Sequence, residues 1–283
     1  MKRIILTTFI SLVIEVSCFV SPAQAIDAAY EHSSYEKIEF SSDGSDIAGY
    51  LLKAKDDGKT AISILLPACG GLLIPKNGTI RHFYRDIASE LTDAGISVFL
   101  VDSFTPRDEK EVCSLKPDER TVDFDTRRKD GFSAMSYLRT RKDIIKDKVF
   151  LLSYGANGNF DAMDKNSNSL YMPSEGYAGA ALFYPHCGKA SNNFVPSAPI
   201  QIFVGEEDTW NPPGECRELK KRLGVGSELV NLKIYPDTHH GFVLRIPPRT
   251  FYSHFGSAIV GGNPASAADA YQTTVDFFTK IMK

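Results

Sequence analysis

Long basic runs are missing from this chain of 283 residues, whose formal net charge is −3. That makes nucleic acid and anionic membrane surfaces poor partners. No internal repeat and no low-complexity segment occurs, which excludes solenoids and disordered arrays. Beyond the first twenty-odd residues no apolar stretch is long enough to span a bilayer. Metal-ligand spacing is missing too: His186, Cys187, His239 and His240 form no known ligand pattern, so no metal is expected.

The amino terminus is different. Lys2 and Arg3 precede a mostly apolar run from Ile4 to Val20, and Ala23-Gln24-Ala25 puts small residues at −3 and −1 of a cleavage site. Residues 1–25 are therefore expected to be a signal peptide, and residues 26–283 one domain, in an exported chain, periplasmic or secreted. Glu15 breaks the apolar run, which argues against a membrane anchor, and it sits where a lipobox before Cys18 would need an aliphatic residue. Cys69, Cys113, Cys187 and Cys216 remain after cleavage, an even number that favours disulfides in an exported chain.

Apolar patterning then sets the class. Glu36–Phe40 and Ile47–Leu52 read as a hairpin around a Ser-Asp-Gly turn. Ala61–Leu66, Ile96–Val101, Lys148–Leu152, Gly179–Phe183, Pro199–Val204 and Val230–Ile234 are short apolar runs of the kind found in strands buried on both faces. Between them, Arg81–Ala94 is helical, with Phe83, Ile87 and Leu91 inward and Gly95 as its stop. Glu119–Thr140 is expected as a long polar helix, with Phe132, Met135 and Leu138 inward. The last helix carries Ala268, Tyr271, Val275, Phe278 and Met282 on one stripe. Alternating strands and helices imply an α/β fold, with a mostly parallel sheet and helices on both faces. Ligand sites in such sheets lie just past the carboxyl ends of the strands.

The residues at those ends carry the chemistry. Cys69-Gly70-Gly71 follows the third strand and could turn backbone N–H groups toward an oxygen, although paired glycines also serve as a plain turn. Arg107 follows the fourth and could bind a carboxylate or pair with a neighbouring acid. Ser153-Tyr154-Gly155-Ala156-Asn157-Gly158 follows the fifth and has the small-x-nucleophile-x-small frame of a hydrolase elbow, with glycine at its centre. Asp208 and His240 each follow a late strand, in the Ser…Asp…His order of α/β-hydrolases.

As an ordered set these segments resemble the dienelactone hydrolase family, in its exported branch. They are joined by Asp102-Ser103-Phe104-Thr105-Pro106-Arg107, Phe183-Tyr184-Pro185-His186-Cys187, Gly205 to Trp210, His240-Gly241-Phe242 and Asn263 to Ala270. The resemblance implies an α/β-hydrolase fold with a central sheet of about eight strands. It also implies hydrolysis of small esters or lactones without a cofactor, Asp208 as acid and His240 as base. The oxyanion donors would be the backbone N–H groups of Cys69 and Ala156. His239 competes with His240 for the base, and the following Gly-Phe favours His240. In this fold Cys69 and Cys113 follow neighbouring strands, as do Cys187 and Cys216, so those are the expected pairs out of three pairings. The family's nucleophile position falls on Gly155, which has no side chain to attack a carbonyl. Ser153, two positions earlier, is expected to pack against the fold. Two functions stay open: hydrolysis by a water-based or relocated-nucleophile route, and small-molecule binding without turnover, for an ester, lactone or carboxylate near Arg107. The residues do not specify an oligomeric state.

Overall fold

Asp43 and Gly44 both take positive φ, 48° and 78°. That two-residue turn matches the twist of the strands it joins, so β1 (Glu36–Ser42) folds back on β2 (Ser45–Leu52) in register from Glu36–Leu51 to Ser42–Ser45. The computed structural model describes residues 35–55, 58–155, 159–167, 176–224, 226–253 and 256–283. The signal peptide expected at 1–25 lies outside the described residues.

The remaining strands are β3 (Thr60–Leu66), β4 (Ile96–Asp102), β5 (Ile144–Tyr154), β6 (Gly179–Phe183), β7 (Ile200–Gly205) and β8 (Val230–Tyr235). With the hairpin they form one eight-stranded sheet of order β1-β2-β4-β3-β5-β6-β7-β8. Strand β2 runs antiparallel to β4, and from β4 onward every pairing is parallel. All residues of β3, β4, β6 and β7 are buried, which explains why their sequences are unbroken apolar runs.

Side chains alternate between the two faces and each face has its own helices. Helices α1 (His82–Asp93) and α5 (Pro264–Met282) cover one face, where Phe83, Ile87, Leu91, Tyr271 and Phe278 meet Leu65, Val98 and Leu152. Helices α2 (Phe124–Leu138) and α4 (Pro213–Arg222) cover the other, where Phe132, Met135, Leu138 and Leu219 join Ile62, Ile64 and Leu151 in a second core. A single turn, α3 (Asn159–Ala162), follows β5. No helix among the described residues is long and apolar enough to cross a membrane.

Three features depart from the pattern read in the sequence. Helix α2 begins at Phe124, not Glu119, because the Asp123 carboxylate accepts the Thr126 N–H at 2.8 Å and caps the helix there. In α5 the buried stripe is Ser266, Ala270, Tyr271, Thr274 and Phe278, while Ala268 is exposed, because the helix is rolled so that Ala270, Tyr271 and Phe278 meet the core of that face. A separate hairpin, β9 (Arg249–Ser253) and β10 (Gly256–Val260), forms where no strand is expected. Its sequence is short and preceded by Pro247 and Pro248, so it carries little pattern of its own.

Candidate active site

Asp208 and His240 follow neighbouring strands, β7 and β8, and their side chains meet: the imidazole Nδ1 lies 2.8 Å from Oδ2 of Asp208. A carboxylate only accepts, so Nδ1 carries the proton and Nε2 keeps its lone pair. The Asp208 side chain is wholly buried. Its other oxygen, Oδ1, accepts the backbone N–H groups of Trp210 at 2.9 Å and Asn211 at 2.8 Å. Both oxygens are thus occupied, and the carboxylate cannot swing away from the ring. His239 points elsewhere, toward Glu207 at 3.2 Å in a part-exposed pair.

The elbow sits two strands away. Gly155 ends β5 with φ 69°, the left-handed region where a side chain is strained. Its N–H donates to Phe183 O at 2.9 Å, which ties the turn to β6. Among the described residues, a Cβ added at Gly155 would meet only the Ala68 Cβ, at 3.7 Å, an ordinary van der Waals contact. Ser153 is fully buried and donates from Oγ to Oδ1 of Asn159 at 2.8 Å. The Asn159 amide in turn donates to Gly155 O at 2.9 Å. Ser153 therefore braces the turn from inside the fold. Ala156 lies outside the described residues.

Across from the elbow, the loop after β3 is held on both sides. The Ala68 N–H donates to the Tyr84 hydroxyl at 2.8 Å, and Arg81 donates to the carbonyls of Gly70 at 2.7 Å and Gly71 at 3.2 Å. The Cys69 carbonyl accepts Val112 N–H, while the Cys69 N–H donates to none of the described residues. Cys69 is bonded to Cys113 and Cys187 to Cys216, with Cα separations of 5.0 and 4.9 Å. These are the two expected pairs. The first anchors the loop to the excursion after β4, which has its own small core of Phe104, Val112 and Val122. Arg107 belongs to that excursion. Its guanidinium makes two 2.9 Å contacts with buried Asp130 and a third bond to Ser103 O. The structure thus pairs Arg107 with a neighbouring acid, one of the two roles its position allows.

Aromatic rings complete the site, and the residue-type argument from the sequence assigned them no role. Tyr184, just past β6, packs its ring 4.7 Å from the imidazole and holds a strained φ of 41°. Two backbone bonds fix it there: its N–H to Phe203 O at 2.6 Å, and its carbonyl accepting from the Asn211 amide at 2.7 Å. Burial pushes the Tyr184 phenol well above its ordinary pKa, so it stays protonated. Trp210 lies 5.1 Å from the imidazole and stacks on Phe251 of β9. The β10 strand reaches the same place, Val260 bridging to His240. In the sequence Trp210 closes the Gly205 to Trp210 segment and is the one tryptophan in the chain, and neither fact gives it a role. Phe251 lies on the hairpin that the pattern missed. Among the described residues no three His, Cys, Asp or Glu side chains converge as metal ligands.

An eight-stranded sheet of this order, with a tight turn after β5, an acid after β7 and a histidine after β8, defines the α/β-hydrolase class. Within it the chain belongs to the dienelactone hydrolase family, whose profile matches residues 47–282. A probable 2-oxo-3-(5-oxofuran-2-ylidene)propanoate lactonase of Bradyrhizobium sp is 22% identical over 255 residues, covering 87% of this chain and 94% of that protein. The dienelactone hydrolase of Anabaena variabilis ATCC 29413 has a similar structure, with a TM-score of 0.62 at 16% identity over 87% of this chain and 97% of its own. A thermophilic esterase of Thermogutta terrifontis matches with a TM-score of 0.64 at 14% identity, over 88% and 93% of the two chains. At such identities the structural likeness shows the fold alone.

Proposed function

We propose that this protein is an exported hydrolase of small esters or lactones in which His240, oriented by Asp208, activates a water molecule in the space beside Gly155. The observation that carries this reading is the Asp208–His240 contact of 2.8 Å, which leaves Nε2 free to accept a proton. A purely binding protein has no need of that pair. In the proposed step Nε2 takes a proton from water, and the water oxygen attacks the carbonyl carbon. The resulting oxyanion is stabilised by the backbone N–H groups of Cys69 and Ala156, the donors the family resemblance implies. Collapse breaks the acyl–oxygen bond, and the imidazolium returns its proton to the leaving alkoxide. An ester yields a carboxylic acid and an alcohol; a lactone yields one hydroxy acid. No acyl-enzyme forms. Hydrolases stripped of the nucleophile retain roughly 10³ to 10⁴ of acceleration over water, which sets the scale expected here. Export is supported by the leader pattern of residues 1–25 and by the two disulfides.

The glycine itself favours a second reading, a periplasmic small-molecule-binding protein without turnover. Steady-state hydrolysis of p-nitrophenyl acetate separates the two. The wild type is expected to turn over slowly, without a burst and without labelling by fluorophosphonate, and His240→Gln to abolish that rate. Equal rates for wild type and His240→Gln would leave binding as the function.

A further inference from the structure

A base that gains a proton in the transition state needs its orientation held and its new charge stabilised, and Asp208 meets only one edge of the imidazole. Trp210 lies on another side, its centroid 5.1 Å away and its plane tilted 30° from the imidazole. The indole is rooted in the same turn that fixes the acid, since Trp210 N–H donates to Asp208 Oδ1. It is supported in turn by Phe251, stacked at 5.2 Å and 23°. The hairpin that carries Phe251 is tied down by Ile259 N–H to Thr209 Oγ1 at 3.3 Å and by the Val260–His240 bridge. A cation within about 6 Å of an indole face is attracted by the ring quadrupole, and tryptophan is the strongest of the three aromatic residues in this respect.

We propose that Trp210 is the positioning residue for His240, holding the imidazole toward Asp208 and stabilising the imidazolium, with Phe251 of the β9–β10 hairpin keeping the indole in place. The inference rests on His240 acting as the base. It assigns a role to a hairpin separate from the main sheet, which brings Phe251 against the indole and Val260 against His240. The titratable groups against the imidazole are Asp208, which meets its Nδ1 edge, and Tyr184, whose phenol ring is a weaker partner for a cation than an indole.

The test compares wild type, Trp210→Ala, Trp210→Phe and Phe251→Ala by turnover and by proton NMR. The reporter is the downfield Nδ1–H resonance of His240, assigned by its disappearance in His240→Gln. Trp210→Ala is expected to lower kcat about three- to ten-fold, to move KM less, and to broaden or remove the resonance. Trp210→Phe should restore most of both, and Phe251→Ala should fall between. A sharp, unshifted resonance with unchanged kcat in Trp210→Ala overturns the proposal. Should Trp210→Ala fail to fold, the same comparison on Phe251→Ala decides, an unchanged resonance and kcat again overturning it. Absence of turnover in the wild type defeats the hydrolase reading instead, and the resonance then decides the role of Trp210 alone.

Discussion

Gly155 takes a φ of 69° at the end of β5, where any other residue would be strained by about 1–2 kcal/mol. In a nucleophile that strain is tolerated because the exposed hydroxyl or thiol is what the reaction needs; without one, glycine removes the strain. The Cβ of Gly155→Ser would meet only Ala68 among the described residues. The variant is expected to lose about 1–2 kcal/mol of stability in urea melts. It should also gain an acyl-enzyme burst with p-nitrophenyl acetate, raising the rate by about ten-fold or more. No burst in a folded variant would mean that the base and the elbow are not aligned. Ser153 behaves in the opposite way. Its Oγ is bonded to Asn159 in the fold interior, so Ser153→Ala strands a buried amide oxygen. A loss of about 1–3 kcal/mol in melting experiments is expected, with turnover retained. Loss of turnover together with fluorophosphonate labelling of the wild-type Ser153 would show that the nucleophile had moved there.

Among the elements, β5 is the one whose start is most elaborately held. Just before it, the Asp143 carboxylate takes two bonds from Arg141, at 3.0 and 2.9 Å, and one from Lys53 at 2.6 Å, while its carbonyl accepts the Thr60 N–H. Those contacts span the irregular register between β3 and β5 and tie both strands to the end of β2. The Arg141 guanidinium, followed by Lys53, holds the Asp143 carboxyl below its ordinary value despite some opposing desolvation. A carboxylate lowered on folding contributes its stability above the unfolded value, near pH 4, and loses it as pH falls through the folded one. The side chain is about one-third exposed, so solvent screening limits the contribution to about 1 kcal/mol. Asp143→Asn should therefore be less stable than wild type at pH 7 by about that amount. The gap should narrow progressively as pH falls below about 4, and a gap unchanged between pH 7 and pH 2 would show that packing, not charge, carries the effect.

For the molecule as a whole, the two disulfides brace the loops around the candidate site: one joins the loop after β3 to the excursion after β4, the other the segment after β6 to α4. They close 44 and 29 residues respectively, and each is expected to contribute about 2–4 kcal/mol, mainly by restricting the unfolded chain. Their accessibility differs. Cys187 and Cys216 are each 1% exposed, whereas Cys69 and Cys113 are part-exposed. A small dithiol acting on the native protein should therefore open Cys69–Cys113 first, as read by differential alkylation and mass mapping. Turnover should fall with it, because the Cys69 loop loses its anchor. Simultaneous reduction of both bridges would mean that the fold opens globally before either bond is reached.

The chain alone determined the fold class, since buried parallel strands must be continuous apolar runs and their helices must repeat on one face. It also determined which residues stand at the carboxyl ends of the strands, because the turn, the acid and the histidine each follow such a run. What periodicity could not carry depends on neighbours distant in sequence. The start of α2 depends on one cap, Asp123, and the phase of α5 on how the helix packs against the sheet. Arg107 could bind a ligand or an acid until the fold placed Asp130 against it. Tyr184 and Trp210 stand in segments that carry the family resemblance and Phe251 in none, yet nothing in the sequence gives any of them a role; only the packing of three separate segments around one imidazole makes them part of the site. Apolar periodicity records which side of an element is buried. Which group faces which across the edge of a sheet is decided when the strands are laid side by side, and for this protein only the tertiary structure carries that information.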